Sequence, residues 1–249
     1  MATSYGALCN DFYVNQKLAM KMDLPSDRET VLHMFDRVRK TMPTMTQFRR
    51  FEDELALESS RRDAEYSWLS LQRSSIRSGH VNPTSMDEAF RLHRMLLEIA
   101  PYHLTISPLD VDFLELMFGF DLECNDNHDE IVYEALYAKS PLGDLLKMRN
   151  AKVLDVQPIF GMSLSRSGDT QCYFEVKTRH RTRRGRSGKY RREPISIFLV
   201  LRKYGPVENI EALQDELEIL ANYGESLINE RLIPNLLMPI SRQIASSSA

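Results

Sequence analysis

The chain has 249 residues, 43% hydrophobic and 27% charged, which suits one large globular domain or two of ordinary size. Its net charge of −3 hides an asymmetry. The segment KTRHRTRRGRSGKYRR at 177–192 holds nine Lys and Arg and no acid, leaving 23 basic against 35 acidic residues, or −12, elsewhere. The longest apolar runs, such as IFLVL at 197–201, are strand-sized, so no segment is long enough to cross a bilayer.

The opening MATSYGALCNDF lacks a basic region and an apolar core, so no secretory signal is expected. Cys9, Cys124 and Cys172 are odd in number and form no CxxC pair, which fits reduced thiols and a cytoplasmic location. Residues 12–24 read as a strand, with Leu18, Met20 and Met22 alternating. Ser26 to Glu29 has capping-box spacing, and Val31, Leu32, Phe35, Val38 and Met42 follow at helical intervals until Pro43. Segments 47–59 and 65–77 each read as one strand. A second capping box, Ser85 to Glu88, opens a helix with Met86, Phe90, Leu97 and Ala100 on its apolar stripe, ended by Pro101.

The order then repeats. Residues 111–123 read as a strand, Asn127 to Glu130 as a cap, and Ile131, Val132, Ala135, Leu136 and Ala138 as a helix face. Strand-like runs at 152–164, 171–179 and 194–203 precede a long helix carrying Leu213, Leu217, Leu220, Gly224, Leu227 and Arg231 on one line. The expected fold is therefore α+β, with two tandem ferredoxin-like strand–helix–strand–strand–helix units and mainly antiparallel sheets. The first repeat is expected at 1–105 and the second at 106–240, followed by a disordered tail at 241–249.

At YSWLSLQRSSIRSGHVNPTSMDEAFRLHRMLLEI the chain resembles a group of uncharacterised bacterial proteins. In them a strand ending in Gln-Arg, here Gln72-Arg73, leads through a polar turn to a helix, and a second similar half ends near a long helix. The resemblance implies a duplicated α+β fold and no activity. The Arg-rich segment is a departure from that group.

Alternating strands flank the Arg-rich segment, so it is expected to be a long hairpin connection with Gly185 and Gly188 permitting the reversal. Extended, it places Arg179, Arg181 and Arg183 on one face, and each arm of about six residues reaches roughly 20 Å. Seven of its nine cations are Arg, whose planar fork pairs bidentately with carboxylate or phosphate. The candidate contacts are Arg179, Arg181, Arg183, Arg184, Arg186, Lys189, Arg191 and Arg192. Their partner is expected to be nucleic acid or an acidic protein surface, that of another copy included. Only Tyr190 is available there for stacking, and no helix-turn-helix or zinc-finger spacing occurs.

Catalytic signals are weaker. The cluster ECNDNHDE at 123–130 offers ligand types for a metal, but the same residues suit a strand end and a helix N-terminus. His93 shares an apolar stripe with Phe90 and Leu97 and reads as a hydrogen-bonded core residue; His33, His80 and His103 have no nucleophile near them in sequence. Trp68 and Tyr66 read as core. No GxSxG, HExxH, Walker or GxGxxG pattern occurs. The sequence thus points to a non-enzymatic binding or assembly protein, with no catalytic residue, metal or cofactor assigned, oligomeric through a sheet edge or the long helix. The alternative is an enzyme with a cleft between the two repeats, acting on a phosphorylated substrate under an Arg-rich lid.

Overall fold

The computed structural model describes residues 4–61, 64–148, 152–178 and 193–247. Among these, nine strands form one antiparallel sheet: β1 (Asp11–Met20), β2 (Met45–Arg50), β3 (Glu54–Ser59), β4 (Tyr66–Gln72), β5 (Ser75–Val81), β6 (Val111–Glu123), β7 (Ile159–Ser163), β8 (Thr170–Lys177) and β9 (Pro194–Tyr204). Their spatial order is β2-β3-β4-β5-β1-β6-β9-β8-β7. The helices are α1 (Arg28–Thr41), α2 (Met86–His103), α3 (His128–Leu136), α4 (Ala212–Leu227) and α5 (Met238–Ser247).

The α and β content matches the expectation, but the strands do not separate into two ferredoxin-like sheets. β1 and β6 pair from Asp11↔Asp121 to Met20↔Val111. Backbone groups that would otherwise edge two sheets therefore satisfy each other. The boundary expected at 105/106 falls in the connection from α2 to β6.

Residues 12–20 lie in the single strand β1, but the segments 47–59 and 65–77, each read as one strand, are hairpins. Residues 47–59 turn at Phe51, whose N–H donates to the Glu54 carbonyl at 2.8 Å, and Gln72 faces Ser75 across the two-residue turn Arg73-Ser74. Neither turn contains Gly or Pro, so charge alone marked them. In the second half, strand β7 begins only at Ile159, leaving 152–158 irregular.

Helix starts follow cap chemistry. Asp27, one residue beyond the expected Ser26, accepts from Thr30 N–H at 3.0 Å, Ser85 from Glu88 N–H at 3.1 Å, and Asn127 from Asp129 N–H at 3.2 Å. α2 runs through Pro101 to His103 instead of stopping there. Residues 241–247, expected in a disordered tail, belong to α5, whose Ile240 is buried. Between α4 and α5 the helix widens into a π-helical stretch at Ile228–Leu237 that contains Pro234. Proline removes one backbone donor and crowds the carbonyl four residues back, and the wider turn relieves that conflict.

One sheet face carries the core. Phe12, Val14 and Leu18 of β1 and Leu114, Leu116, Phe118 and Phe120 of β6 are buried there, with Leu213, Leu217 and Leu220 of α4. Gly224 lets α4 approach closely, since a Cβ there would lie 2.2 Å from the Phe118 ring. The line of buried residues then continues through Ile228 and Leu232, while Arg231 is exposed. Trp68 and Tyr66, expected in the core, are half-buried on the opposite, helix-free face. No helix among the described residues is long and apolar enough to cross a membrane.

Candidate functional site

The Arg-rich segment connects β8 to β9, neighbours in the sheet whose ladder ends at Lys177↔Ser196. Its eight predicted contacts, Arg179, Arg181, Arg183, Arg184, Arg186, Lys189, Arg191 and Arg192, lie outside the described residues. The structure does define the base from which the segment leaves. Lys177 is ion-paired with Glu175 at 3.1 Å and sits 5.6 Å from the Phe198 ring centroid. Thr178 Oγ1 donates to Asp129 Oδ1 at 2.6 Å, and the same carboxylate oxygen accepts from Val156 N–H at 3.0 Å. Asp129 thus ties the start of the segment, the strand-free run before β7 and the N-terminus of α3 into one unit.

Acids surround that base. Ser196 lies beside Asp121 in the ladder, Asp121 beside Asp11, and Pro194 beside Glu123. Asp121 accepts from Ser196 Oγ at 2.6 Å and from the Tyr13 hydroxyl at 3.2 Å. Two electrostatic environments therefore meet at this end of the sheet: an acidic strand row, and a connection whose composition is strongly cationic.

The ECNDNHDE cluster is occupied by structural roles. Asn127 caps α3, His128 Nε2 donates to the Cys124 carbonyl at 3.2 Å, Asp129 makes the bonds above, and Asp126 accepts from Ser247 Oγ at 2.9 Å. Among the described residues no group of three or more His, Cys, Asp or Glu is arranged to hold a metal.

The histidines are similarly committed. His93 is fully buried beneath the sheet, with Nδ1 2.7 Å from Ser78 Oγ. Burial, reinforced by nearby His80, lowers its pKa to about 3, so it remains a neutral core residue. A Ser–His pair suggests a nucleophile and base, but both members are buried. His80 is also buried, with Nδ1 3.2 Å from the Glu88 carbonyl and Nε2 3.0 Å from Glu65. The His33 and His103 rings meet edge-on, with centroids 5.0 Å apart.

A large groove, of about 1440 Å³, opens at the far end of the first half, between the β1–α1 connection and the β2–β3 and β4–β5 turns. Leu24, Leu32, Phe48 and Phe51 give it apolar surface, and Arg28, Arg50, Glu52 and Asp53 line it as well. It contains no histidine. Gln72 and Arg73, the pair behind the family resemblance, are here as structural braces. Gln72 Nε2 donates to Glu54 at 2.9 Å, Arg73 Nε to Asp23 at 2.8 Å, and the Arg73 carbonyl accepts from Leu24 N–H at 2.8 Å. Sequence reasoning missed this groove because the turn at Phe51 was absorbed into one long strand.

No family model matches the chain, and no curated protein matches it significantly. Among solved structures, that of the di-domain ARO/CYC BexL from the BE-7585A biosynthetic pathway aligns over 93% of this chain and 98% of its own, at 7% identity. Its TM-score is 0.19, too low to carry an argument about fold or function.

Proposed function

We propose that the protein is a non-enzymatic binding or assembly protein whose cationic connection between β8 and β9 engages an acidic protein surface. The observation that carries this reading is the placement of the segment: both ends are anchored on adjacent strands of the sheet, at a base rimmed by Asp11, Asp121 and Glu123. The carboxylates at the base repel a long polyanion more than they repel a short, discrete acidic patch. Seven Arg side chains supply bidentate carboxylate pairing.

Among the described residues the two halves join through the β1–β6 ladder, and the large groove lies at the other end of the sheet, away from the base of the segment. The parallel order of the halves, each beginning with a central strand and ending with a long helix over it, supports an internal duplication.

The test is binding of a labelled Glu-rich peptide by the full chain and by a variant with Arg181, Arg183, Arg184 and Arg186 changed to Gln. Loss of at least tenfold in affinity by the folded variant supports the reading; unchanged affinity overturns it.

A further inference from the structure

The sheet ends in two edges, and among the described residues no strand pairs with the outer edge of β7. Residues 156–165 contain no charged side chain. Ile159, Phe160 and Met162 are 61%, 51% and 48% exposed, and the whole strand is open to solvent. Among the described residues, eight of the fifteen exposed large hydrophobic side chains fall within the stretch 142–162. Natural sheets blunt such an edge with charge, proline or a bulge unless something pairs with it.

The backbone fixes which groups are available. Val176 N–H donates to the Pro158 carbonyl and Leu164 N–H to the Thr170 carbonyl. Alternation along an antiparallel ladder then turns Phe160 and Met162 toward β8 and leaves the N–H and C=O of Ile159, Gly161 and Ser163 pointing outward. We propose that β7 pairs antiparallel with β7 of a second copy of this chain, on a two-fold axis through Gly161.

That register matches Gly161 with Gly161 and Ile159 with Ser163 of the other copy, engaging every outward backbone group of the strand. A shift of the axis to Phe160 or Met162 leaves outward groups unpaired. On the helix-covered side the register sets Phe160 across from Met162, a ring–thioether pair. On the open side the Tyr173 ring lies over Gly161, where an added Cβ would meet it at 2.7 Å, so only glycine fits beneath the ring at the axis. The absence of charge removes the like-charge repulsion that a two-fold operation imposes on any charged edge. A closed pair of this kind also leaves no sticky edge behind. The inference is independent of the Arg-rich segment.

Sedimentation of the full chain at micromolar concentration tests it. The expected mass is twice the 28.9 kDa protomer, and Phe160→Glu/Met162→Glu is expected to raise the dimer Kd at least 100-fold. Should that variant misfold, Ile159→Lys, on the opposite face, provides the same readout. Hydrogen exchange identifies the interface: amides of Ile159, Gly161 and Ser163 are protected in the wild type and exchange freely in the variants. A wild-type monomer at tens of micromolar, or a dimer unchanged in mass and protection by the substitutions, overturns the proposal.

Discussion

The two edges of the sheet are built on different terms. β2 carries Arg49 and Arg50, its register shifts between Met45 and Gln47, and its Phe48 ring meets Phe35 of α1 at 5.8 Å. Arg49 also pairs with the buried Glu58 of β3 at 3.1 Å. β7 has no charge and exposes Phe160 and Met162 beside Phe174 and Cys172 of β8. One edge is closed by charge, irregularity and a helix; the other is an uncharged, exposed strand that no described strand pairs with. A single chain that protects one edge and not the other shows that edge protection was available to it, which makes the bare edge informative.

The largest effect should come from removing the cover over β2. Phe35 is buried, so Phe35→Ala should cost about 3–5 kcal/mol in denaturant unfolding. Its counterpart on the other edge, Phe160→Ala, should change monomer stability by no more than about 0.5 kcal/mol. Comparable losses at both sites would break the contrast.

A second difference lies in the interior. Beneath the first half, Gln16, Ser78 and His93 form a buried polar seam, and His93 has its pKa lowered to about 3 by burial. The unfolded chain takes up that proton near pH 6.5 and the folded chain does not, so this residue reduces stability as pH falls from about 6.5 toward 3. The slope is about 1.4 kcal/mol per pH unit. Relative to His93→Leu, the wild type should therefore lose about 2 kcal/mol between pH 6.5 and 5, measured by urea unfolding of both proteins. Parallel pH profiles would remove His93 from the account.

The smallest effect concerns the charge on β2. Arg49→Ala should cost at most about 1 kcal/mol, because Arg61 still bridges Glu58 at 2.8 Å. Arg49→Ile/Arg50→Ile should promote only weak self-association in sedimentation, since the register shift at Met45/Gln47 persists. Strong association by this variant would show that charge alone guards the edge.

Much of the fold was legible because periodicity and caps are local. The strand at 111–123, the caps at Ser85 and Asn127, and the buried line Leu213, Leu217, Leu220, Gly224 all follow from side-chain spacing. Three features were not local. The union of both halves into one sheet depends on β1 meeting β6, residues about a hundred positions apart. The Ser78–His93 contact depends on which face of β5 meets α2. The turns at Phe51 and Arg73-Ser74 lack Gly and Pro, so they were hidden inside apparent strands. At the candidate site, the Arg-rich composition was visible at once. Its setting was not, because the acidic row Asp11–Asp121 exists only after β1 and β6 pair.

The most direct measurement is fluorescence anisotropy with a labelled Glu-rich peptide and a labelled single-stranded oligonucleotide of equal charge, at near-physiological salt. Both are titrated with the wild-type chain and the four-arginine variant. The expected result is peptide binding that the variant loses at least tenfold, with the oligonucleotide bound no more tightly than the peptide. Tighter oligonucleotide binding that vanishes in the variant would assign the segment to nucleic acid and contradict the proposed partner; binding of neither probe would contradict the role of the segment itself.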